Sequence, residues 1–209
     1  MADRITSFDA LVAAVSGAPR QQKRRLIAVC GAPASGKSTL AAALCDALLG
    51  LGVSTCVVPM DGFHLDNAIL RENGTLDRKG APHTFDSAGF ASLISRCAQE
   101  DTVYYPTFDR ARDISIGASG VVSGDIDTIV VEGNYLLMQT PGWRDLLGLW
   151  DKSVYLDVPA EELKKRLMTR WLDHGLSPAD AAKRAEQNDM QNARTVIEHS
   201  AKADLVFTQ

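Results

Sequence analysis

A chain of 209 residues, 45% hydrophobic and 23% charged, has the composition of a globular protein and length enough for one sizeable core. Its formal net charge of −4 argues against nucleic-acid binding through a general basic surface. No apolar run approaches membrane-spanning length and no basic-then-apolar leader opens the chain, so a cytoplasmic location away from membranes is expected.

The first element is an amphipathic helix over 7–16, with Phe8, Leu11, Val12 and Val15 at helical spacing and Ser7 as its N-cap. Gln21 to Arg25 is polar and basic and reads as a solvated linker, which makes 1–24 a helix-and-linker preface to a domain over 25–209. Residues 25–30 form a short apolar strand. Directly after it stands Gly31-Ala32-Pro33-Ala34-Ser35-Gly36-Lys37-Ser38-Thr39, a full G-x-x-x-x-G-K-[ST] loop, followed by the strong helix former 37–49. Strand, loop and helix in that order are what a phosphate cradle requires. Backbone N–H groups curl inward, the helix contributes its positive end, Lys37 reaches the β- and γ-phosphates and the Ser38 hydroxyl faces Mg²⁺.

Val53 to Met60 is the next strand, and 61–86 is a Gly-, Pro- and charge-rich functional loop region. Asp86 opens a helix to about Ala98. Val103–Pro106 predicts a short strand and 114–122 a hairpin or short strand. Ile126–Val131 is a buried strand that runs straight into Glu132-Gly133-Asn134. Lys152–Val158 is a strand, a helix follows to about His174, and Ser177-Pro178 caps and starts another. Asp204–Phe207 closes as a strand. Strands alternating with helices imply a three-layer α/β/α sandwich on a mostly parallel central sheet, here with a helical lid over about 163–195. Cys30, Cys45, Cys56 and Cys97 form no C-x-x-C pair. Reduced thiols are expected, rather than a disulfide framework or a zinc site.

Chemistry-bearing groups collect at strand ends. Asp61 follows the second core strand at its carboxyl end, the edge where open α/β sheets bind ligands and where the phosphate loop opens. A carboxylate there accepts the proton of an attacking hydroxyl or holds Mg²⁺. Glu132 ends the most hydrophobic strand and suits a second, Mg²⁺-side carboxylate. On the helix after Val158, Arg166 and Arg170 are four apart and share a face, placed to offset charge on a transferred phosphoryl group. Two loop regions, 61–86 and 104–122, crowd together His64, Arg78, Lys79, His83, Tyr104, Phe108, Asp109, Arg110, Arg112 and Asp113, a polar and aromatic mixture suited to a small hydroxylated molecule.

Together these residues resemble the P-loop small-molecule kinases: uridine kinase, phosphoribulokinase and bacterial pantothenate kinase. The resemblance spans about Arg25 to Phe207. It rests on Pro59-Met60-Asp61-Gly62-Phe63-His64, Arg78 to Asp86, Tyr105-Pro106-Thr107-Phe108-Asp109, Val131-Glu132-Gly133-Asn134, and Arg170 five residues before Gly175. The Asp-Gly-Phe and Lys-Gly-x-Pro elements look most like pantothenate kinase, and the Pro-x-Phe-Asp and Glu-Gly elements are similar to uridine kinase. The chain looks closest to the nucleoside kinase-like branch, some members of which carry the label fructose transport system kinase. The resemblance implies ATP and Mg²⁺ as cofactors, Asp61 as general base, Lys37 on the phosphates, Ser38 with Glu132 on the Mg²⁺ side, lid arginines Arg166 and Arg170, and acceptor contacts from His64, Phe108 and Arg112. It also implies a small-molecule hydroxyl acceptor (a sugar such as fructose, a nucleoside or a pantothenate-like alcohol) and a homodimer. The stretch Asp173-His174-Gly175-Leu176 departs from uridine kinases, which carry more arginines there, and the chain is shorter than typical pantothenate kinases. Two other readings stand beside the enzyme. One is a nucleotide-binding regulatory protein without kinase activity. The other is a GTPase switch, opposed by the absence of an Asn-Lys-x-Asp signature and by D-x-x-G matches at Asp86 and Asp145 that follow no buried strand.

Overall fold

The computed structural model describes residues 3–208. In chain order the elements are β1 (Asp3–Ile5), α1 (Phe8–Ser16), β2 (Arg25–Gly31), α2 (Lys37–Gly50), β3 (Thr55–Pro59), α3 (Asn67–Glu72), α4 (Ser87–Gln99), β4 (Val103–Asp109) and β5 (Ile114–Val122). There follow β6 (Thr128–Gly133), β7 (Lys152–Asp157), α5 (Ala160–Asp173), α6 (Pro178–Arg184), α7 (Met190–His199) and β8 (Leu205–Thr208). Six strands form one sheet in the order β1-β8-β7-β2-β6-β3. Every pairing in it is parallel.

Alternation along β2 divides the core. Leu26, Ala28 and Cys30 point to a layer closed by α4 and by Val103, Tyr105 and Val122. Ile27 and Val29 point the other way, to α1, α2 and α5, through Leu11, Leu44 and Leu167. Strands buried on both faces need continuous apolar runs, which β2 and β6 have. The three-layer α/β/α sandwich is therefore the architecture, with a central sheet that is wholly rather than mostly parallel.

Four local readings change. Asp3–Ile5, which carries no sequence signal of a strand, is extended because it adds a parallel edge to β8. The region 61–86 is not plain loop: Asp66 caps the short helix α3 by accepting from the Ala68 N–H at 2.7 Å. The segment at 103–106 lengthens to Asp109 and pairs with 114–122 in one antiparallel ribbon, β4–β5, separate from the main sheet. The fourth change is Arg24, expected in a solvated linker. It is fully buried, and its guanidinium donates to the carbonyls of Cys97, Glu100, Asp101, Ser123 and Ile126 at 2.5–3.1 Å. Five acceptors facing inward at the end of α4 and the β5–β6 turn need donors, and only the arginine fork reaches them all.

The four cysteines are free thiols, with Cys30 and Cys97 buried. No helix among the described residues is long and apolar enough to cross a membrane.

Arg24→Ala should destabilise the fold by about 3 kcal/mol or more, because several buried carbonyls lose their donor together. Arg24→Lys should recover only part of this. Urea unfolding of the three proteins side by side measures both.

Candidate active site

The register of the three strands β2, β6 and β3 builds the site. Glu132 pairs across to Val29 on one side and Pro59 on the other. The loop that starts at Gly31 and the residue Asp61 therefore leave the sheet at the same carboxyl edge, one strand to either side of Glu132.

The loop 31–39 curls through two left-handed residues, Ala34 (φ +62°) and Gly36 (φ +95°). Gly36 is the N-cap of α2 and supplies no side-chain cap, so the helix's first N–H groups are left to an incoming anion. Lys37, the first residue of α2, lines a cavity of about 550 Å³ together with Pro33 and Ala34. Arg166 donates to the Ser35 carbonyl at 3.0 Å and to Glu162 at 2.8 Å. It braces the outside of the loop rather than lining the main cavity. Thr39 is exposed on the first turn of α2.

Two carboxylates face this loop in unlike states. Burial alone would raise the Asp61 carboxyl, but the Arg110 guanidinium in contact with it, helped by His64 and Lys37, holds it below the usual carboxylate range. Asp61 is thus ionised and held by Arg110 from the β4–β5 turn. Glu132 is 6% exposed. Burial raises its carboxyl, and the nearby Lys37 ammonium and Ser38 hydroxyl offset this only in part.

The ribbon reaches Asp61 because of Gly62. A Cβ at that position would lie 2.0 Å from the Pro106 carbonyl oxygen, so any larger residue would lift β4 away from the carboxylate. His64 packs between Phe85 and Phe108, with ring centroids at 4.0 and 4.6 Å, and its Nδ1 lies 2.8 Å from the Asp61 carbonyl oxygen. Lys79 sits over the Phe108 ring with its donors engaged by Asn67 and by the Asp113 carboxylate and carbonyl. It therefore shapes the wall and has no proton left to offer.

Of the sequence-selected residues, Pro33, Ala34, Lys37, Asp61, His64, Phe108 and Arg170 line one cavity. Arg112 does not. It is exposed, beside Asp109 at 4.0 Å, whereas Arg110, two residues earlier, reaches the carboxylate. Sequence spacing presents both arginines equally, and the turn after β4 decides which one points inward. Arg184, one of the positive charges of the lid segment, also lines the cavity, as do Trp171, Asp189 and Asn192, which the sequence did not single out. The local signal for Asp189 and Asn192 is a polar run after the lid glycine, and Trp171 carries none.

The residues present fit a nucleotide phosphate chain with Mg²⁺. The uncapped N-terminus of α2 and Lys37 face anions, and the Ser38 hydroxyl and Glu132 offer oxygen to a hard cation. No group of three or more His, Cys, Asp or Glu among the described residues could enclose a metal ion.

No family model matches the chain. A Schizosaccharomyces pombe protein provisionally named uridine kinase C227.14 is 34% identical over 215 residues, which cover 98% of this chain and 92% of that protein. Pantothenate kinase from Listeria monocytogenes serotype 4a is 28% identical over 152 residues, covering 70% of this chain and 49% of that enzyme. Among solved structures, a protein from Silicibacter sp. TM1040, provisionally named a fructose transport system kinase, superposes with a TM-score of 0.94. It is 48% identical and covers 97% of this chain and 99% of its own.

His64 should titrate below the ordinary histidine value of about 6.5. Burial disfavours its charged form more than Asp61 favours it, and Lys79 and Arg110 push the same way as burial. Below about pH 6.5 the unfolded chain therefore binds more protons at this residue, and the stability it contributes falls as pH falls. NMR titration of the His64 ring protons checks the direction of the shift.

Proposed function

The chain belongs to the family of P-loop kinases that includes relatives named uridine kinase and pantothenate kinase, and from that premise we propose that it transfers the γ-phosphoryl group of ATP, with Mg²⁺, to a hydroxyl of a small metabolite. The observation that supports the reading is that Lys37 and the ionised Asp61 line one cavity at the sheet edge, with the buried Glu132 on the strand between theirs.

Bound MgATP would supply the phosphoryl group, and the cation would neutralise charge on the β- and γ-oxygens. Asp61 orients the acceptor hydroxyl through a carboxylate oxygen and takes its proton as the new P–O bond forms. The electron pair of the broken bond leaves with ADP. Arg110 keeps that carboxylate ionised and fixes its direction. An ionised Asp61 is a weak base, which suffices where the transition state is loose and proton transfer comes late. Lys37 holds the phosphates from the loop. Arg170 lines the same cavity, and its positive charge would offset negative charge on the moving group. Arg166 serves one step back, by holding the Ser35 carbonyl and hence the loop. Closure of α5 and α6 over the cavity would exclude water.

A sugar, a nucleoside and a pantothenate-like alcohol all fit this chemistry. A coupled assay of ADP release across such a panel tests the reading. Asp61→Asn should bind ATP normally and lose at least about 100-fold in kcat. Lys37→Ala should weaken ATP binding at least about tenfold. Tight ATP binding with no acceptor-dependent ADP release would favour a regulatory nucleotide-binding protein instead.

A further inference from the structure

The cavity does not end at the phosphate loop. It runs from Lys37 and Asp61 at the sheet edge to the lid, where Asp189 and Asn192 form part of its far wall. Arg170 lines the same cavity as Asp61 and Asp189. Asp189 closes a single π-helical turn, Ala185–Asp189, that joins α6 to α7. Such turns break the regular ladder and occur often at functional sites.

Asp189 is 8% exposed, and its carboxylate is short of donors. Its Oδ2 accepts from the Trp171 indole N–H at 2.5 Å, while a carboxyl group has further acceptor sites on both oxygens. Arg78, Arg170 and Arg184 surround it, but none is in ion-pair contact with it among the described residues. Their guanidinium groups are turned elsewhere. Arg78 donates to the Gln187 carbonyl at 2.8 Å and to Asn192 Oδ1 at 3.2 Å. Arg184 donates to the Asp77 carbonyl at 3.1 Å, and both Arg170 and Arg184 lie over the Trp171 ring. Because Arg78 occupies its oxygen, Asn192 keeps its amide N–H₂ for the cavity wall, where the residue is 2% exposed.

A buried carboxylate with unfilled acceptor sites, next to an amide donor, calls for a group that both donates and accepts. An ammonium is opposed by the three guanidiniums. A carboxylate or phosphate would have to sit against Asp189 itself. Neutral hydroxyls meet both demands. Resting on the kinase reading above, we infer that Asp189 and Asn192 form a second anchor for the acceptor, binding free hydroxyl groups at the end remote from Asp61. The acceptor is then a polyhydroxylated, sugar- or polyol-like molecule rather than one ending in a carboxylate or phosphate.

The test uses the full chain with MgATP and a defined set of acceptors: D-fructose, D-glucose, D-ribose and D-sorbitol, against pantothenate and D-glycerate. The expected result is that a polyol from the first group stimulates ADP release. Asp189→Ala should then raise the KM for that polyol at least about tenfold, with the KM for ATP unchanged. Asp189→Asn keeps an amide oxygen for Trp171, so it separates lost binding from lost folding, and it should raise the same KM. An analogue of the active polyol lacking one hydroxyl remote from the phosphorylated position should be a poorer substrate for the wild type, but no poorer than its parent for Asp189→Ala. A carboxylate-bearing compound as the best acceptor, or Asp189 variants that lower kcat while leaving the acceptor KM alone, would overturn the anchor and leave the kinase standing. Tight MgATP binding with no acceptor stimulating ADP release would instead remove the kinase reading, and the anchor with it.

Discussion

The parallel register of β2, β6 and β3 is the constraint on which the rest of the site depends. Val29, Glu132 and Pro59 stand side by side in the sheet, so three loops separated by many residues leave at one edge. A shift of one residue would turn Glu132 from the α2 side, where it meets Ser38, to the opposite face. Register is held by burial on both faces. Ile27, Val29 and Val130 are committed to one core and Leu26, Ala28, Ile129 and Val131 to the other. The apolar interior thereby sets the positions of charged groups it never touches.

Charge in the cavity is arranged so that each group has a distinct task. Lys79 is neutralised by Asp113 and saturated with hydrogen bonds, which leaves it a wall. Asp61 is kept ionised by Arg110, whereas Glu132 is pushed toward its neutral form by burial. A divalent cation would reverse that bias, as cations invert local carboxylate behaviour. Arg166 and Arg170 share a helix face but divide their labour. One braces the phosphate loop through Ser35 and the other stands on the cavity wall.

The lid and the acceptor walls are tied by hydrogen bonds rather than by a continuous apolar core. The turn at Asp77–Lys79 is held to the lid by Arg184, Asn188 and Arg78. The Gly80 carbonyl, next along, accepts from the buried Tyr135 hydroxyl. Such contacts are more easily exchanged than buried apolar packing. On the far side of the molecule Arg24 does the reverse, with five carbonyls gathered on one guanidinium to make a rigid corner.

Local patterns alone determined the sandwich, the phosphate loop and the positions of Asp61 and Glu132. Apolar runs, glycine spacing and strand ends are short-range signals, and the physics behind them acts within a few residues. Tertiary structure alone decided that Asp3–Ile5 is a strand, since a three-residue edge exists only by pairing with β8. It decided that Arg24 is buried, because the carbonyls it serves come from α4 and the β5–β6 turn, more than seventy residues on. It also chose Arg110 over Arg112. Both arginines look alike in the bare sequence, and the choice depends on the β4–β5 ribbon, whose Pro106 carbonyl lies against Gly62 in a contact no side chain larger than hydrogen would permit. Asp189 belongs to the same class, a polar residue in a polar run that becomes a buried carboxylate only when a π turn and Trp171 close around it.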